Sequence, residues 1–175
     1  MIDFDKIKND NVREFESLFD LYYEQLVAFA CYYFSDQDAA ENIVQDVFVN
    51  IWKNRKKINL KSSIKVYLYS ATKKNALRYL RDKKNREKFV QRLTPDLDVQ
   101  HLPHDSAEYH ELVSAIEKAI QSLPEKGRLI FCMNRFDHLS YSEIARVLNI
   151  SVNTVEAHMV RNLRHLRNFL NFKFS

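Results

Sequence analysis

Leu139-Ser140-Tyr141-Ser142-Glu143-Ile144-Ala145-Arg146-Val147-Leu148-Asn149-Ile150-Ser151-Val152-Asn153-Thr154-Val155-Glu156-Ala157-His158-Met159-Val160-Arg161 is the stretch on which the reading of this chain turns. Ile144, Ala145 and Leu148 fall on one side of a first short helix. Ala145 is small, which lets a second helix cross closely. Asn149 sits at the turn, where Asn tolerates a left-handed backbone better than most residues. Ile150 fills the corner. Ser151 is placed to cap the second helix, and Val152, Val155 and Met159 to hold it down. Asn153, Thr154, Glu156, Ala157, His158 and Arg161 are then left for the outer face. They are short and polar near the N-terminus and basic further along, as a helix entering a major groove requires. The plainer alternative is a helical hairpin inside a bundle, and small residue, turn and cap together weigh against it.

The chain around this stretch also reads as helix. Leu112, Val113, Ile116, Ala119, Ile120 and Leu123 form an apolar stripe that Pro124 ends. Gly127 follows the proline, and Phe131, Cys132 and Phe136 continue a short helix. Upstream, Leu93 to Asp105 holds Pro95, Pro103, several acids and no apolar period, and reads as a linker. Further upstream, Phe15, Leu18, Phe19, Tyr22, Leu26, Phe29, Ala30 and Tyr33 make one stripe. Ser35-Asp36 breaks it, with Ser35 and Asp38 resembling the cap of the next helix. Ala40, Ile43, Val44, Val47, Phe48 and Ile51 make a second stripe, with Asp38, Glu41, Asn42, Gln45 and Asp46 on its other face. After a polar stretch from Lys53 to Lys61, Ser62 or Ser63 can cap a third helix. Ile64, Leu68, Ala71, Thr72, Asn75 and Tyr79 lie on one side of it. The expected fold is therefore all-α, with two helical modules at 1–92 and 108–175 joined by a flexible acidic linker at 93–107. Each module exceeds the roughly 40 residues below which a core usually needs a staple.

Composition excludes several classes. Of 175 residues, 46% are hydrophobic and 29% charged, enough to bury a core. One glycine cannot write a phosphate loop or a dinucleotide fingerprint. The longest apolar run, Leu26 to Phe34, is well short of the roughly 20 residues that span a membrane, so no membrane insertion is expected. Met1-Ile2-Asp3-Phe4-Asp5 lacks the basic-then-apolar order of a signal peptide. Cys31 and Cys132 lie far apart in apolar contexts and read as buried thiols of a cytoplasmic protein.

Net charge is +4, unevenly laid out. Residues 1–50 carry a net −8, residues 51–92 a net +13, residues 93–139 a net −4 and residues 140–175 a net +3. A charge run is ordinarily a solvated face. A block of +13 repels itself, and a polyanion relieves that cost. Nucleic acid is the first candidate and an anionic membrane surface the second, though the block lacks an apolar anchor. At 100° per residue, Lys73, Lys74, Arg78, Arg81 and Lys84 fall within an arc of about 140° on the third helix, opposite its apolar side.

Other chemistry finds no support. His101 and His104, with His110 nearby, lie in or beside the linker without Cys or a fixed frame, so no metal or other cofactor is expected. No nucleophile–base set or paired carboxylate stands out, so no catalytic residue is assigned. A dimeric helix-turn-helix regulator would explain Leu139 to Arg161 but leaves Asp38 to Trp52 and the basic block without a role. A helical adaptor docking through its acidic face leaves both basic surfaces unexplained.

Both modules resemble one family. Asp38-Ala39-Ala40-Glu41-Asn42-Ile43-Val44-Gln45-Asp46-Val47-Phe48-Val49-Asn50-Ile51-Trp52, after the aromatic helix from Phe15 to Tyr33, is similar to the core-binding helices of domain two in bacterial sigma-70 factors. Tyr67 to Thr72 and Asn75 to Arg81 resemble the helix that melts the promoter and reads the −10 element. Leu123-Pro124-Glu125-Lys126-Gly127-Arg128-Leu129-Ile130-Phe131 and Leu139 to Ala145 resemble domain four. The chain looks like an extracytoplasmic-function (ECF) sigma factor, which keeps only these two domains, and its aromatic first helix resembles Bacteroidetes-type members.

The resemblance implies a factor that is not itself an enzyme, binds core RNA polymerase, places it on promoter DNA and helps open the duplex. It assigns polymerase docking to Asp38, Glu41, Asn42, Gln45 and Asp46. It assigns the −10 element to Lys61, Ser62, Ser63, Tyr69, Lys73, Lys74, Asn75, Arg78 and Arg81, with the Asn59–Ser63 loop holding a flipped base. By helical phase Tyr79 is core, Tyr67 intermediate and Tyr69 the exposed aromatic for a single strand. The −35 element falls to Ser151, Asn153, Thr154, Glu156, His158 and Arg161. Lys74 stands where the family often carries Asn, and Glu156, Ala157 and His158 where it often carries Lys, Ser and Arg, so the resemblance carries over the general role and not the base preferences at either element. An anti-sigma partner, membrane-tethered in the family's manner, is expected to hold the modules together across the linker.

Overall fold

The computed structural model describes residues 2–90 and 107–174, and the side chains of 2–84 and 114–170. The linker from Leu93 to Asp105, with His101 and His104, lies outside the described residues, as does the side chain of His110. Among the described residues all regular structure is helical: α1 (Phe4–Lys8), α2 (Val12–Cys31), α3 (Gln37–Asn54), α4 (Ile64–Val90), α5 (Ala107–Gln121), α6 (Glu125–Arg135), α7 (Tyr141–Leu148) and α8 (Val152–Phe174). The chain divides into two compact units. The first is built from α1 to α4, the second from α5, α6, α8 and most of α7.

The first unit is organised by α2 against α3. Ala40, Ile43, Val44, Val47, Phe48 and Ile51 are all buried, the six that their spacing placed on one side. They meet Leu18, Leu26 and Phe29 of α2, also buried, and each large side chain removed from water contributes roughly 1.5–3 kcal/mol. An aromatic cluster extends this core, with Phe19 and Phe48 rings 4.9 Å apart and Phe15 and Trp52 also 4.9 Å apart.

Asp36, not Ser35, caps α3. Its backbone is extended, and its carboxylate accepts the Ala39 N–H at 3.0 Å. The same carboxylate accepts the Tyr79 hydroxyl at 2.9 Å, so one side chain closes α3 and pins α4. Between the two serines open to α4, Ser63 is the cap, its Oγ accepting the Val66 N–H at 3.3 Å.

The buried side of α4 is Val66, Leu68, Tyr69, Thr72 and Ala76. At 100° per residue that side is rotated by roughly 80° from the one the sequence suggests. Phe29 is the reason. Its ring meets Tyr69 edge-on at 4.9 Å and draws Tyr69 fully inside. The exposed aromatic expected at Tyr69 is therefore absent. Tyr79, expected in the core, is half-buried, tilted against Phe34 with centroids 4.8 Å apart.

In the second unit α8 packs on α5 and α6. α5 ends at Gln121, short of Pro124, and Pro124 is the N-cap residue of α6. α6 ends at Arg135, so Phe136 lies past the helix and is 56% exposed. Gly127, the chain's one glycine, is buried in the first turn of α6. The Asn162 side chain of α8 lies against it and donates from Nδ2 to the Gly127 carbonyl at 2.8 Å. A Cβ at position 127 would stand 2.5 Å from Asn162 Oδ1. The glycine is thus there for close approach, not for a turn.

The helix-turn-helix forms from α7 and the start of α8. A reciprocal cap opens α7: the Ser140 N–H donates to Glu143 Oε2 at 2.9 Å, and the Glu143 N–H donates to Ser140 Oγ at 3.3 Å. Asn149 takes φ 59°, the left-handed turn expected of it. Ser151 Oγ accepts the Thr154 N–H at 3.1 Å and caps α8. Val155 and Met159 are buried, but Val152 is 38% exposed, because the first residue of α8 stands ahead of the turn that packs.

Candidate nucleic-acid interface

The first surface is the outer face of α3. Asp38, Asn42, Gln45 and Asp46 are exposed and Glu41 is half-buried. Glu41 accepts from Gln37 Nε2 at 3.1 Å, and Gln45 Nε2 reaches the Tyr23 hydroxyl at 3.4 Å. Among the described residues no Lys or Arg lies within ion-pair distance of Asp38, Glu41 or Asp46. The face keeps its negative field and is open to a cationic partner.

A groove runs along each flank of this ridge. Toward α2 the groove is apolar, walled by Phe15, Phe19, Phe48, Val49 and Trp52. Toward α4 it is polar. Asp36, Asn42 and Asp46 stand on one wall and Asn75, Arg78 and Lys83 on the other, around a cavity of about 550 Å³. The Asp36 carboxyl is held below its usual range, first by the Ala39 N–H and then by the Tyr79 hydroxyl. Cys31 lies half-buried beside Glu41, and burial, with the Asp36 and Glu41 charges, pushes its thiol pKa up. That environment suits an inert thiol.

The second surface is α4 and the segment before it. Lys61, Lys74, Arg78 and Arg81 are exposed, and Ser62, Lys73 and Asn75 half-buried. Ser63 is exposed but spends its Oγ on the helix cap. Among the described residues Arg81 pairs with its neighbour Asp82, at 3.3 Å, in an exposed setting. Tyr69 does not join this surface. The aromatic the structure offers instead is Tyr67, half-buried in a cavity of about 300 Å³ with Asn50, Ser70, Lys74 and Asn75. The sequence signal was present, since Tyr67 lies two residues from Tyr69 on a different face of the helix.

The third surface is the first turns of α8. Ser151, Asn153, Glu156 and Arg161 are exposed, and Thr154 and His158 half-buried. Ser151 and Thr154 hydroxyls share a hydrogen bond at 2.8 Å, and Arg161 Nε donates back to the Ala157 carbonyl at 3.1 Å. Burial lowers the His158 pKa, with the positive charges of Arg161 and Lys126 acting in the same sense. A neutral imidazole there can both donate and accept at a base edge.

Sequence reading missed one further cluster. Asp10, on the corner between α1 and α2, holds Arg55 and Lys56 from the far end of α3.

Comparison with known proteins bears on both units. A family model described as Sigma-70 region 2 matches residues 18–86, and one described as Sigma-70, region 4 matches residues 114–166. The ECF RNA polymerase sigma factor SigX of Bacillus subtilis is 27% identical over 158 residues, covering 87% of this chain and 81% of SigX. SigW of the same organism is 25% identical, covering 93% of this chain and 91% of its own length. Among solved structures, the sigma factor RpoE from Bartonella quintana, in complex with the anti-sigma factor NepR, shares the fold with a TM-score of 0.64. It is 20% identical and covers 91% of this chain and 98% of its own. CnrH, in complex with the cytosolic domain of CnrY, gives 0.63 at 19% identity, covering 96% of this chain and 94% of its own. Among the described residues no helix is long and apolar enough to cross a membrane. With two family models matching in order along one chain, and ECF factors similar over most of its length, the chain belongs to the sigma-70 family of RNA polymerase sigma factors, in its ECF group.

Proposed function

We propose that this ECF sigma factor docks on core RNA polymerase through Asp38, Glu41, Asn42, Gln45 and Asp46, and meets promoter DNA through two further surfaces. Lys61, Ser62, Lys73, Lys74, Asn75, Arg78 and Arg81 engage the −10 element, with Tyr67 in the place first given to Tyr69. Asn153, Thr154, Glu156, His158 and Arg161, with Ser151 at the helix start, read the −35 element. The observation that carries the assignment is the acidic face of α3, without an ion pair among the described residues, beside an exposed basic face of α4, in the module matched by region 2. An acid face is fit for a protein partner and repels phosphate, while the basic face does the reverse.

Opening DNA requires unstacking, at a few kcal/mol per extruded base. An aromatic beside a cation and two amides suits a displaced base, with Lys74 for its phosphate and Asn50 and Asn75 for its edge. Polymerase binding supplies the free energy, so melting belongs to the holoenzyme. The protein acts as an initiation factor in the cytoplasm, not as an enzyme. By likeness to RpoE, solved with the anti-sigma factor NepR, a partner of that class holds it inactive.

Run-off transcription with core polymerase on genomic promoter fragments tests this. Initiation at a discrete start site that depends on this protein, and is lost in Arg78→Glu with Arg81→Glu, is expected. No initiation, together with tight duplex binding by the protein alone, would instead identify a stand-alone regulator.

A further inference from the structure

Asp10 lies before the residues matched by the region 2 model and carries a structure of its own. It takes φ 65°, a left-handed backbone, at the corner where α1 ends and α2 begins. The corner is fastened on both sides. Asp3 caps α1, Asn11 caps α2 through the Glu14 N–H at 3.1 Å, and the Asp3 N–H donates to Glu14 Oε1 at 2.8 Å. Phe4 and Ile7 anchor it from below, both buried.

The corner presents one carboxylate to two cations 45 and 46 residues away. Asp10 Oδ1 accepts from Arg55 Nε at 2.7 Å and also from Arg55 Nη2, and Oδ2 accepts from Lys56 Nζ at 2.8 Å. These hydrogen bonds, that from Lys56 first, hold the Asp10 carboxyl below its usual range. Arg55 has contacts besides Asp10 that hold it. Its guanidinium lies over the Trp52 ring, 4.1 Å from the centroid, and Nη1 donates to the Trp52 carbonyl. A guanidinium fork and an ammonium converging on one anion are the groups that bind a phosphate diester. They stand a few residues ahead of Lys61 and Ser62.

We propose that Arg55 and Lys56 form a phosphate-binding pair that Asp10 occupies with its own carboxylate, withholding two cations from DNA. This rests on the reading of Lys61 to Arg81 as the DNA-facing surface. Asp10 keeps contact at that surface dependent on bases and shape, because a free pair would bind any strand by charge alone.

Fluorescence anisotropy of the full chain with a labelled 20-mer oligothymidine, between 50 and 200 mM salt, tests it. Asp10→Asn keeps a residue that tolerates the left-handed backbone and removes the charge. Each cation released to single-stranded phosphate steepens the salt dependence by about 0.7. Two steepen it by about 1.4, so the affinity advantage of the variant shrinks about sevenfold across that range. Lys56→Gln in the Asp10→Asn background returns about half of the change and Arg55→Gln the remainder. Glu16→Gln alters net charge equally from an exposed position that forms no ion pair with either cation, and leaves the slope near wild type. The proposal is overturned if Asp10→Asn behaves as Glu16→Gln does, or if it weakens binding, since a brace and not a mask would then be at work. Run-off transcription by the wild-type holoenzyme is read alongside. Initiation with no change of slope removes this inference alone, and absence of initiation removes the underlying reading.

Discussion

Replacing the chain's one glycine tests how tightly α6 and α8 approach. In Gly127→Ala the new methyl would stand 2.5 Å from Asn162 Oδ1, a distance that atoms do not sustain. Asn162 is 3% exposed and has little room to retreat. If it moves, its hydrogen bond to the Gly127 carbonyl is lost, and a buried polar group without a partner costs about 1–3 kcal/mol. Ala favours a helix over Gly by up to about 1 kcal/mol, and less in a first turn. The clash and the lost bond win, by about 1–2 kcal/mol. For a unit of this size that lowers the midpoint by roughly 4–16 °C. The chain's one tryptophan, Trp52, lies in the first unit, so its fluorescence reports that unit alone. Far-UV circular dichroism should show an early helical transition while the Trp52 transition stays in place. Gly127→Ala with Asn162→Ala should be less unstable than the sum of the single changes, by at least about 0.5 kcal/mol. A Gly127→Ala protein as stable as the wild type would refute the close approach.

Three further substitutions separate structure from function. Tyr69→Ala should cost about 3–5 kcal/mol, as a large aromatic deleted from a core does, whereas Tyr67→Ala should leave the Trp52 unfolding midpoint near wild type and slow open-complex formation in a permanganate footprint. The reverse pattern would return the DNA-facing role to Tyr69. Asn149→Val should destabilise the helix-turn-helix by about 1–2 kcal/mol, the cost of a left-handed backbone for a side chain that resists it, while Asn149→Gly should be near neutral. Equal calorimetric midpoints for the two would contradict the turn. Asp36 has a folded pKa below its unfolded value of about 3.9. Its contribution is complete above that pH and lost as pH falls through the lowered folded value. Tyr79→Phe removes the second cause of the lowering, so acid unfolding followed by Trp52 fluorescence should begin at higher pH, and an unmoved acid midpoint would show that the Tyr79 bond carries no weight.

What could be read in advance depended on how far apart the deciding residues lie. α3 is legible because its six buried residues recur at three and four within one helix, and its polar face needs no information from elsewhere. The turn at Asn149 and the caps at Ser63 and Ser151 are local rules, satisfied within three residues. The cap at Ser140 and Glu143 obeys such a rule too and stood in the sequence to be noticed. Tyr69 is a failure of another kind. α4 carries so many cations that its own apolar contrast is weak, and its rotation is set by Phe29, 40 residues earlier in the chain. Asp10 with Arg55, and Gly127 with Asn162, are likewise pairs that no period reveals. The candidate surfaces follow the same division. The acidic and basic faces are properties of single helices, and composition gave their signs. Whether a cation on such a face is free is decided by a carboxylate brought from a distant corner. A net charge of +13 over residues 51–92 therefore overstates what DNA can meet, because Arg55 and Lys56 already hold an anion from outside that block.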